Sequence, residues 1–416
     1  MKDYKQKFID FLLQTGALKV EALKDFKLKS QRDSPHFVNI GDFNDGETTA
    51  ELGRAYAAAI QHADLPFDLV YGIPEKGVGL AIATSIGLTT LGMKFHHKPW
   101  FFTRKMPKDH GETSSVSQAD RRKAMIVGRM PKDGDRIVQL DDVFTAGNAK
   151  YESRQTLQSL GNFELPLLAI AVDRQEVGID GTNAIEKYEK DTGTNVVSIV
   201  TATDIYEVLK TRSGIDQKAV ERMATYLRVY GTETARKHIG KPLEQRIVEA
   251  ERSVIPACDV ATIEQFEELV RQTADVPGIG GYKVGFELGL GYGLPRVVEV
   301  ARKHTQKPII YDHQKAATDI PDTGKNFAQV MKRAGIDTVI LFPQAGPETE
   351  RAWIYHALDQ GLKVIVGGRM THAGYAVSEG GFITDEGALE MYRIAARAGV
   401  NNFVVPGNKP DVIKTV

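Results

Sequence analysis

The sequence predicts an α/β protein of two successive units, a parallel sheet covered by helices and then an incomplete (β/α) barrel. Three observations support this prediction. In the first half, short runs rich in β-branched and aromatic residues alternate with helical segments, a pattern typical of a parallel sheet with helices on both faces. In the second half the alternation restarts with a period of about 30 residues, as in a (β/α) barrel. A charged stretch that favours helix separates the two series.

The composition indicates a globular protein of a reducing compartment. A chain of 416 residues is too long for one ordinary core, so two or three domains are expected. The formal net charge of -1 argues against a dedicated nucleic-acid or membrane-surface partner. A single cysteine, Cys258, excludes an intrachain disulfide and favours a cytoplasmic location. The N terminus lacks the apolar core of a signal peptide, and Leu165–Val172 is too short for a membrane helix.

The first domain is predicted over residues 1–211. Helices are expected between its strands, as at Glu51–His62 and Ala149–Leu160. A helical linker should follow over 212–252. The predicted strands of this domain are Asp68–Gly72, Phe101–Arg104, Arg136–Asp141, Leu167–Val172 and Val196–Val200.

The barrel domain is predicted over residues 253–416. Its helices include Glu264–Gln272, Pro295–Lys303 and Lys325–Ala334. The predicted strands are Val254–Cys258, Tyr282–Phe286, Pro308–Tyr311, Thr338–Phe342, Val364–Val366 and Phe403–Val405. A closed barrel of this type has eight strands, so we expect about six of eight units and a C-terminally incomplete barrel. The loops after strands seven and eight, which commonly bind the substrate phosphate, should then be missing.

The segment Arg136–Ala149 combines a strand, two acids, a loop of small residues and a helix start. Asp141 and Asp142 can accept hydrogen bonds from ribose hydroxyls. Gly147 permits backbone geometry that a side chain would forbid, and loop amides backed by a helix N terminus can bind a phosphate dianion. The segment resembles the motif with which type I phosphoribosyltransferases bind phosphoribosyl pyrophosphate (PRPP). The loop residues concerned are Thr145, Ala146, Gly147, Asn148 and Ala149.

The segment Phe102–Glu112 gathers cations suited to a pyrophosphate leaving group, which gains negative charge in the transition state. It resembles the mobile lysine loop of orotate phosphoribosyltransferases. In that family the loop reaches the neighbouring subunit's site, so the resemblance implies a homodimer. The cations are Arg104, Lys105, Lys108 and His110.

Other segments match the same family over essentially residues 1–211. The resemblance of Leu28–Asn39 implies that Lys29 lies near PRPP and that His36 and Phe37 lie against the pyrimidine ring. Tyr71–Ala81 places Lys76 on the pyrophosphate, and Val172–Glu176 with Arg174 also matches. The implied reaction joins orotate to PRPP, with Mg²⁺ held through PRPP and no dedicated cage of protein ligands.

Tyr151 departs from the family pattern. It stands where an arginine is expected to hold the orotate carboxylate. A tyrosine hydroxyl donates one hydrogen bond but has neither the charge nor the fork of a guanidinium. We expect weaker orotate binding rather than a different reaction.

In the second domain, charged residues end consecutive strands at the face where barrel enzymes carry out chemistry. Asp259 and Lys283 end the first two, and an acid–base–acid cluster follows the third. With the run Asp319–Thr323, this pattern resembles orotidine 5′-monophosphate (OMP) decarboxylase. The cluster consists of Asp312, Lys315 and Asp319, spaced more widely than is common in that family.

The resemblance implies roles for these residues. It also implies that decarboxylation needs no cofactor. Asp259 and Lys283 would hold ribose hydroxyls, and Asp312 would lie beside the departing carboxylate. Lys315 would protonate the carbanion, while Asp319 and Thr323 would reach across a dimer interface. Thr371 and Pro406, after the fifth and sixth strands, are the candidates for the pyrimidine edge and the phosphate lid.

Transferase followed by decarboxylase is the order of a UMP synthase-like fusion that makes UMP from orotate through OMP. Because two barrel units are expected to be missing, the decarboxylase step is expected to be impaired. One alternative keeps the transferase and makes the barrel a catalytically silent interaction module. A metal-dependent barrel like that of hexulose-phosphate synthases is disfavoured by the Asp319–Thr323 run. A PRPP-sensing regulator is disfavoured by the intact lysine loop.

Overall fold

The computed structural model describes residues 3–105, 118–144, 147–241, 246–313 and 316–416, and side chains within 118–121 are left undescribed. The chain divides into two compact units. The first unit comprises Met1–Phe26 and Ser34–Met223, and the second comprises Lys27–Asp33 and Ala224–Val416. None of the described helices combines the length and apolar character that a membrane span needs.

The first unit is built on a six-stranded sheet in the order β10–β9–β8–β5–β6–β7, parallel except for β7. All five strands predicted for this half are present, as β5, β6, β8, β9 and β10, which confirms the predicted parallel sheet. The strands up to β10 are β1 Leu18–Val20, β2 Phe26–Lys27, β3 Asp33–Ser34, β4 His36–Val38, β5 Leu69–Gly72, β6 Trp100–Thr103, β7 Ile126–Gly128, β8 Arg136–Val143, β9 Glu164–Asp173 and β10 Asn195–Thr201.

Helices cover this sheet because its central strands are apolar on both faces. In β9, every residue from Leu167 to Val172 is buried. The helices up to the end of this unit are α1 Asp3–Gln14, α2 Gly46–Ala63, α3 Gly77–Leu88, α4 Gln118–Met125, α5 Asn148–Leu160, α6 Ala184–Thr192, α7 Ala202–Thr211 and α8 Gln217–Tyr230, the last of which continues into the second unit.

Two glycines let the start of α3 pack directly on the sheet. A Cβ on Gly72 would lie 2.1 Å from the carbonyl oxygen of Gly77, and a Cβ on Gly77 would lie 2.6 Å from that of Leu140. Real Cβ atoms do not approach backbone so closely, so both positions require glycine. The contact brings Lys76, immediately before α3, to the carboxyl end of β8.

The second unit contains a parallel sheet whose strands follow chain order and curl into a half-barrel, as predicted for an incomplete barrel. Its strands are β11 Tyr282–Val284, β12 Ile309–Tyr311, β13 Thr338–Leu341, β14 Lys363–Gly367 and β15 Phe403–Val404. Its helices beyond α8 are α9 Glu233–Ile239, α10 Ile263–Thr273, α11 Phe286–Tyr292, α12 Leu294–Arg302, α13 Thr323–Arg333, α14 Pro347–Asp359, α15 Asp385–Arg397 and α16 Pro410–Thr415.

The prediction of a full strand over Val254–Cys258 was wrong. This segment lies beside β11 but makes only isolated parallel pairings, Val254 with Ile279 and Ala257 with Lys283. Pro256 lies between the paired residues and has no amide hydrogen, so it can accept the bond from the Lys283 amide (3.0 Å) but cannot donate one. The described part of the barrel therefore has five strands and one loosely paired edge segment.

Glu350 is an acid in the interior of the second unit. It lies on α14 with 1% of its surface exposed. Burial raises the pKa of its carboxyl to about 9, although Arg351 and Arg397 lower it. The folded protein therefore keeps this side chain protonated near neutral pH.

Replacing Glu350 by glutamine should stabilise the protein at neutral pH. Between pH 4.5 and about 9, the unfolded carboxyl is ionised while the folded one stays neutral, so wild-type stability falls as pH rises. Glu350→Gln removes this loss, and we expect a gain of roughly 2–3 kcal/mol at pH 7 that shrinks to nothing near pH 4.5. Denaturant unfolding at several pH values measures it. Glu264→Gln, at an exposed site, should give no pH-dependent gain, and a pH-independent effect of Glu350→Gln would contradict the expectation.

Candidate active sites

The two acids of the first unit lie at the carboxyl end of β8 and are held by backbone and side-chain hydrogen bonds. Asp141 and Asp142 are 7% and 8% exposed. The Tyr56 hydroxyl donates to the Asp141 carbonyl oxygen (2.7 Å), and the Asp142 amide donates to Asp141 Oδ1 (2.9 Å). The Val143 amide donates to Asp142 Oδ1 (2.8 Å). These backbone hydrogen bonds orient both carboxylates.

Each acid is paired with its own lysine. Lys150 Nζ lies 2.6 Å from Asp141 Oδ2, and Lys76 Nζ lies 2.5 Å from Asp142 Oδ2. The Lys150 side chain is only 6% exposed, whereas that of Lys76 is 65% exposed. Burial raises the pKa of the Asp141 carboxyl, and Lys150 opposes this shift. Lys76 was predicted from the sequence, whereas Lys150 was not.

The loop after β8 leads directly into α5. Gly147 has a φ of 81°, a left-handed conformation that favours glycine, and a Cβ there would lie 3.0 Å from the Phe144 ring. Asn148 and Ala149 form the first turn of α5, where free amides favour an anion. The predicted residues Thr145 and Ala146 lie outside the described residues.

The described start of the lysine loop lies next to Lys76. Lys105 Nζ lies 2.5 Å from Glu75 Oε1, with both side chains largely exposed. The bond to Lys105 lowers the pKa of Glu75. The Arg104 amide donates to the carbonyl oxygen of Met125 (2.8 Å). Lys108 and His110 lie outside the described residues.

Of the other residues predicted for the substrate site, Arg174 and His36 are in contact, whereas Lys29 groups with the second unit. Arg174 donates to Ser34 Oγ (3.0 Å) and to the carbonyl oxygen of His36 (3.4 Å). His36 is buried, and burial together with Arg174 lowers the pKa of its imidazole well below the usual value. Phe37 stacks on Phe26 with ring centroids 5.6 Å apart. Lys29 is exposed on the Lys27–Asp33 turn, which groups with the second unit.

Tyr151 points its hydroxyl at an acid of the same unit. The hydroxyl donates to Asp191 Oδ2 (2.9 Å), and its ring meets Tyr188 edge-on at 5.0 Å. The expectation of weaker orotate binding stays a prediction.

In the second unit, the ends of neighbouring strands bring acid and base together. Lys283 Nζ lies 2.7 Å from Asp312 Oδ2, and the Asp312 amide donates to the Val284 carbonyl oxygen (2.9 Å). Within the described residues, Asp312 Oδ1 is buried without a hydrogen-bond partner. Asp259 Oδ1 lies 2.8 Å from where a Cβ on Gly285 would lie, so this glycine admits the carboxylate beside β11. Lys315 lies outside the described residues.

The segment after β12 carries Asp319 and Thr323 to the start of α13. Ala317, buried within this segment, has a φ of 67°, which is uncommon for a residue with a Cβ. The Asp319 carbonyl oxygen accepts from Thr349 Oγ1 (2.9 Å), and the Thr323 hydroxyl donates to the Ile320 carbonyl oxygen (2.7 Å). The Asp319 side chain is left at the surface of this unit.

The loops that carry Thr371 and Pro406 are joined by hydrogen bonds. Asn408 Nδ2 donates to the Thr371 carbonyl oxygen (3.0 Å), and Lys409 Nζ donates to that of His372 (3.4 Å). Within the second loop, the Lys409 amide donates to the Pro406 carbonyl oxygen (3.0 Å). Lys409 Nζ lies 2.6 Å from Glu379. Lys409 was not predicted from the sequence, although it lies beside the predicted phosphate lid.

Comparison with known proteins shows the family to which the first half of the chain is related. The chain is 39% identical over 231 residues to an orotate phosphoribosyltransferase of Marinobacter nauticus, covering 56% of this chain and 100% of that protein. The chain belongs to the orotate phosphoribosyltransferase family. A family member from Pseudomonas fluorescens is 40% identical over 212 residues, 50% of this chain and 90% of that protein. The crystal structure of the Francisella tularensis enzyme shares 30% identity, covers 54% of this chain and all of that chain, and gives a TM-score of 0.45.

Residues 252–416 match a different family, described as orotidine 5′-phosphate decarboxylase / HUMPS. A phosphoribosyltransferase-family half followed by this match is the combination of a fused UMP synthase, which confirms the combination predicted from the sequence.

Proposed function

We propose that this chain carries out two consecutive steps of UMP biosynthesis. Its first half joins orotate to PRPP, giving OMP and pyrophosphate, and its second half converts OMP to UMP and CO₂. The observation that carries the transferase step is the acid pair at the end of β8, with a lysine on each acid and the start of α5 beside it. The observation that carries the decarboxylase step is the pairing of Lys283 with Asp312, with Asp259 at the neighbouring strand edge.

In the transferase step, Asp141 and Asp142 accept hydrogen bonds from the ribose hydroxyls of PRPP. The amides of the loop and of the first turn of α5 bind its phosphate. Lys76 is exposed and leaves Asp142 for the pyrophosphate. The pyrimidine N1 gives up its proton to solvent and bonds to C1 of the ribose as the bond from C1 to pyrophosphate breaks. The lysine loop, including Lys105, stabilises the charge that develops on the leaving group.

Mg²⁺ fits this site as a companion of PRPP. At the end of β8, each of the two described carboxylates is already paired with a lysine ammonium group. This arrangement suits an ion that would be held through PRPP and not by a cage of protein ligands. When bound, the ion supplies Lewis-acid stabilisation of the pyrophosphate.

In the decarboxylase step, Asp312 lies beside the substrate carboxylate, and CO₂ leaves with the C6 bonding electrons remaining on the pyrimidine ring. Lys315 then donates a proton to C6. Lys283 and Asp259 hold the ribose hydroxyls, and Thr371 and Pro406 close on the pyrimidine and phosphate. We propose that this step uses no cofactor. The homodimer, with Asp319 and Thr323 reaching the partner's site, and the cytoplasmic location are also proposals.

One labelled substrate tests both steps. The full chain is incubated with carboxyl-labelled orotate, PRPP and Mg²⁺, and labelled OMP and CO₂ are followed over time. We expect label to leave as CO₂ only when PRPP is present, because decarboxylation needs the OMP made first. Unchanged orotate would refute the transferase step, whereas accumulation of OMP without CO₂ would favour a silent barrel.

A further inference from the structure

Lys150 bridges the two ends of the loop between β8 and α5. The residue belongs to the first turn of α5, and its amide donates to the Gly147 carbonyl oxygen (2.8 Å). Its ammonium group reaches back to the strand, where it pairs with Asp141 and donates to the Val143 carbonyl oxygen (2.7 Å). The same group lies 5.4 Å from the centroid of the Phe144 ring. One side chain thus joins the residues before and after the proposed PRPP loop.

A buried position in the first turn of a helix is unfavourable for a lysine unless another group stabilises its charge. The first turn of a helix is the positive end of its dipole and disfavours a cation. Burial of an ammonium group costs further free energy unless a partner offsets it. Asp141 and the Val143 carbonyl provide that partner, so the lysine and the acid depend on one another.

The two lysines of the acid pair differ in a way that matters for binding. PRPP brings several negative charges to a pocket that already holds two carboxylates. Lys76 is largely exposed and can move to the ligand, while Lys150 is buried and stays where it is. Asp141 is therefore paired with a lysine held in the interior, whereas Asp142 is paired with a lysine that is accessible to a ligand.

We propose that Lys150 is a positioning residue for PRPP, which holds Asp141 in its charged form and fixes the base of the loop. The proposal rests on the proposed transferase function. The titratable groups that face Asp141 among the described residues are Asp142 on β8, Lys150 on α5, Tyr56 on α2 and Tyr71 on β5. Lys150 is the only cation among them.

Replacing Lys150 by methionine keeps the length of the side chain and removes its charge. We expect KM for PRPP to rise about 10- to 100-fold, the size expected for losing hydrogen bonds to a charged group, with KM for orotate almost unchanged. Without its cation, Asp141 should take up a proton at higher pH. The acid limb of the kcat/KM profile for PRPP should therefore move upward, and part of the activity should return as pH rises.

Two further variants separate positioning from folding. Asp141→Asn with Lys150→Met leaves no buried charge unpaired, so this double variant should fold. Calorimetry should show that Lys150→Met weakens PRPP binding less in the Asp141→Asn background than in the wild-type chain, because the part that acts through the Asp141 carboxylate is already lost. Lys187→Met changes an exposed lysine of the same unit and should behave as wild type. A loss in Lys150→Met that is equal for both substrates and at every pH would overturn the proposal, as would a loss of PRPP affinity in the Asp141→Asn background as large as that in the wild-type chain. Absence of orotate consumption by the wild-type chain would instead refute the proposed function itself.

Discussion

Replacing Lys105 by alanine is expected to lower kcat of the transferase step by at least about 10²-fold, the range seen when one charge-stabilising group is lost. Pyrophosphate gains negative charge as its bond to C1 breaks, and the Lys105 ammonium is proposed to meet that charge. In the structure, the Lys105 ammonium pairs with Glu75 at the surface. Glu75 directly precedes Lys76, which pairs with Asp142. A surface pair of this kind is weak, so the ammonium group can transfer to the ligand at little cost.

The measurement is the initial rate of OMP formation at saturating orotate and PRPP. Lys187→Ala, at an exposed position of the same unit, is the matched control and should keep the wild-type rate. Release of CO₂ from added OMP should also be unchanged in Lys105→Ala. A variant that forms OMP at the wild-type rate would remove this lysine from the mechanism.

Replacing Lys315 by alanine should nearly abolish decarboxylation. Loss of a positioned proton donor costs about 10²- to 10⁴-fold, and the acid–base–acid cluster makes Lys315 the proposed donor to C6. Release of CO₂ from OMP measures the effect. Lys332→Ala, on the exposed face of α13, is the control.

The two lysine variants also control for one another. Lys315→Ala should still convert orotate to OMP, which then accumulates, while Lys105→Ala should make little OMP but decarboxylate OMP that is supplied. A Lys315→Ala chain that releases CO₂ at the wild-type rate would move the proton donor to another residue. Loss of both activities in either variant would indicate misfolding rather than a catalytic role.

The sequence was informative where a pattern is local. The strands β5, β6, β8, β9 and β10 were predictable because runs of apolar residues bury on both faces of a parallel sheet. Gly147 was predictable because a tight turn after a strand needs a left-handed residue, and its φ of 81° agrees. The acid pair could be placed at a strand end for the same reason, since it directly follows such a run.

The features that were missed depend on contacts between distant or differently oriented elements. Lys150 is one residue before Tyr151 in a polar helix start, where a lysine ordinarily faces solvent, and only the packing of α5 against β8 buries it. Glu350 likewise follows a proline and two polar residues, yet α14 is enclosed on nearly every side. The edge segment around Pro256 was predicted as a full strand because its composition suits one. Pro256 has no amide hydrogen, however, and cannot donate the hydrogen bond that a continuous strand pairing needs.

The direct backbone contact of Gly72 with Gly77, and of Gly77 with Leu140, sets a limit on how this chain can be diversified. Even alanine at either position would force the start of α3 away from the sheet, because the nearest atoms are backbone and cannot rotate aside. A mutagenesis library aimed at altering substrate choice should therefore leave these two codons fixed. Gly79, in the first turn of the same helix, has open space around it, so it is the glycine of this helix at which new side chains can be sampled.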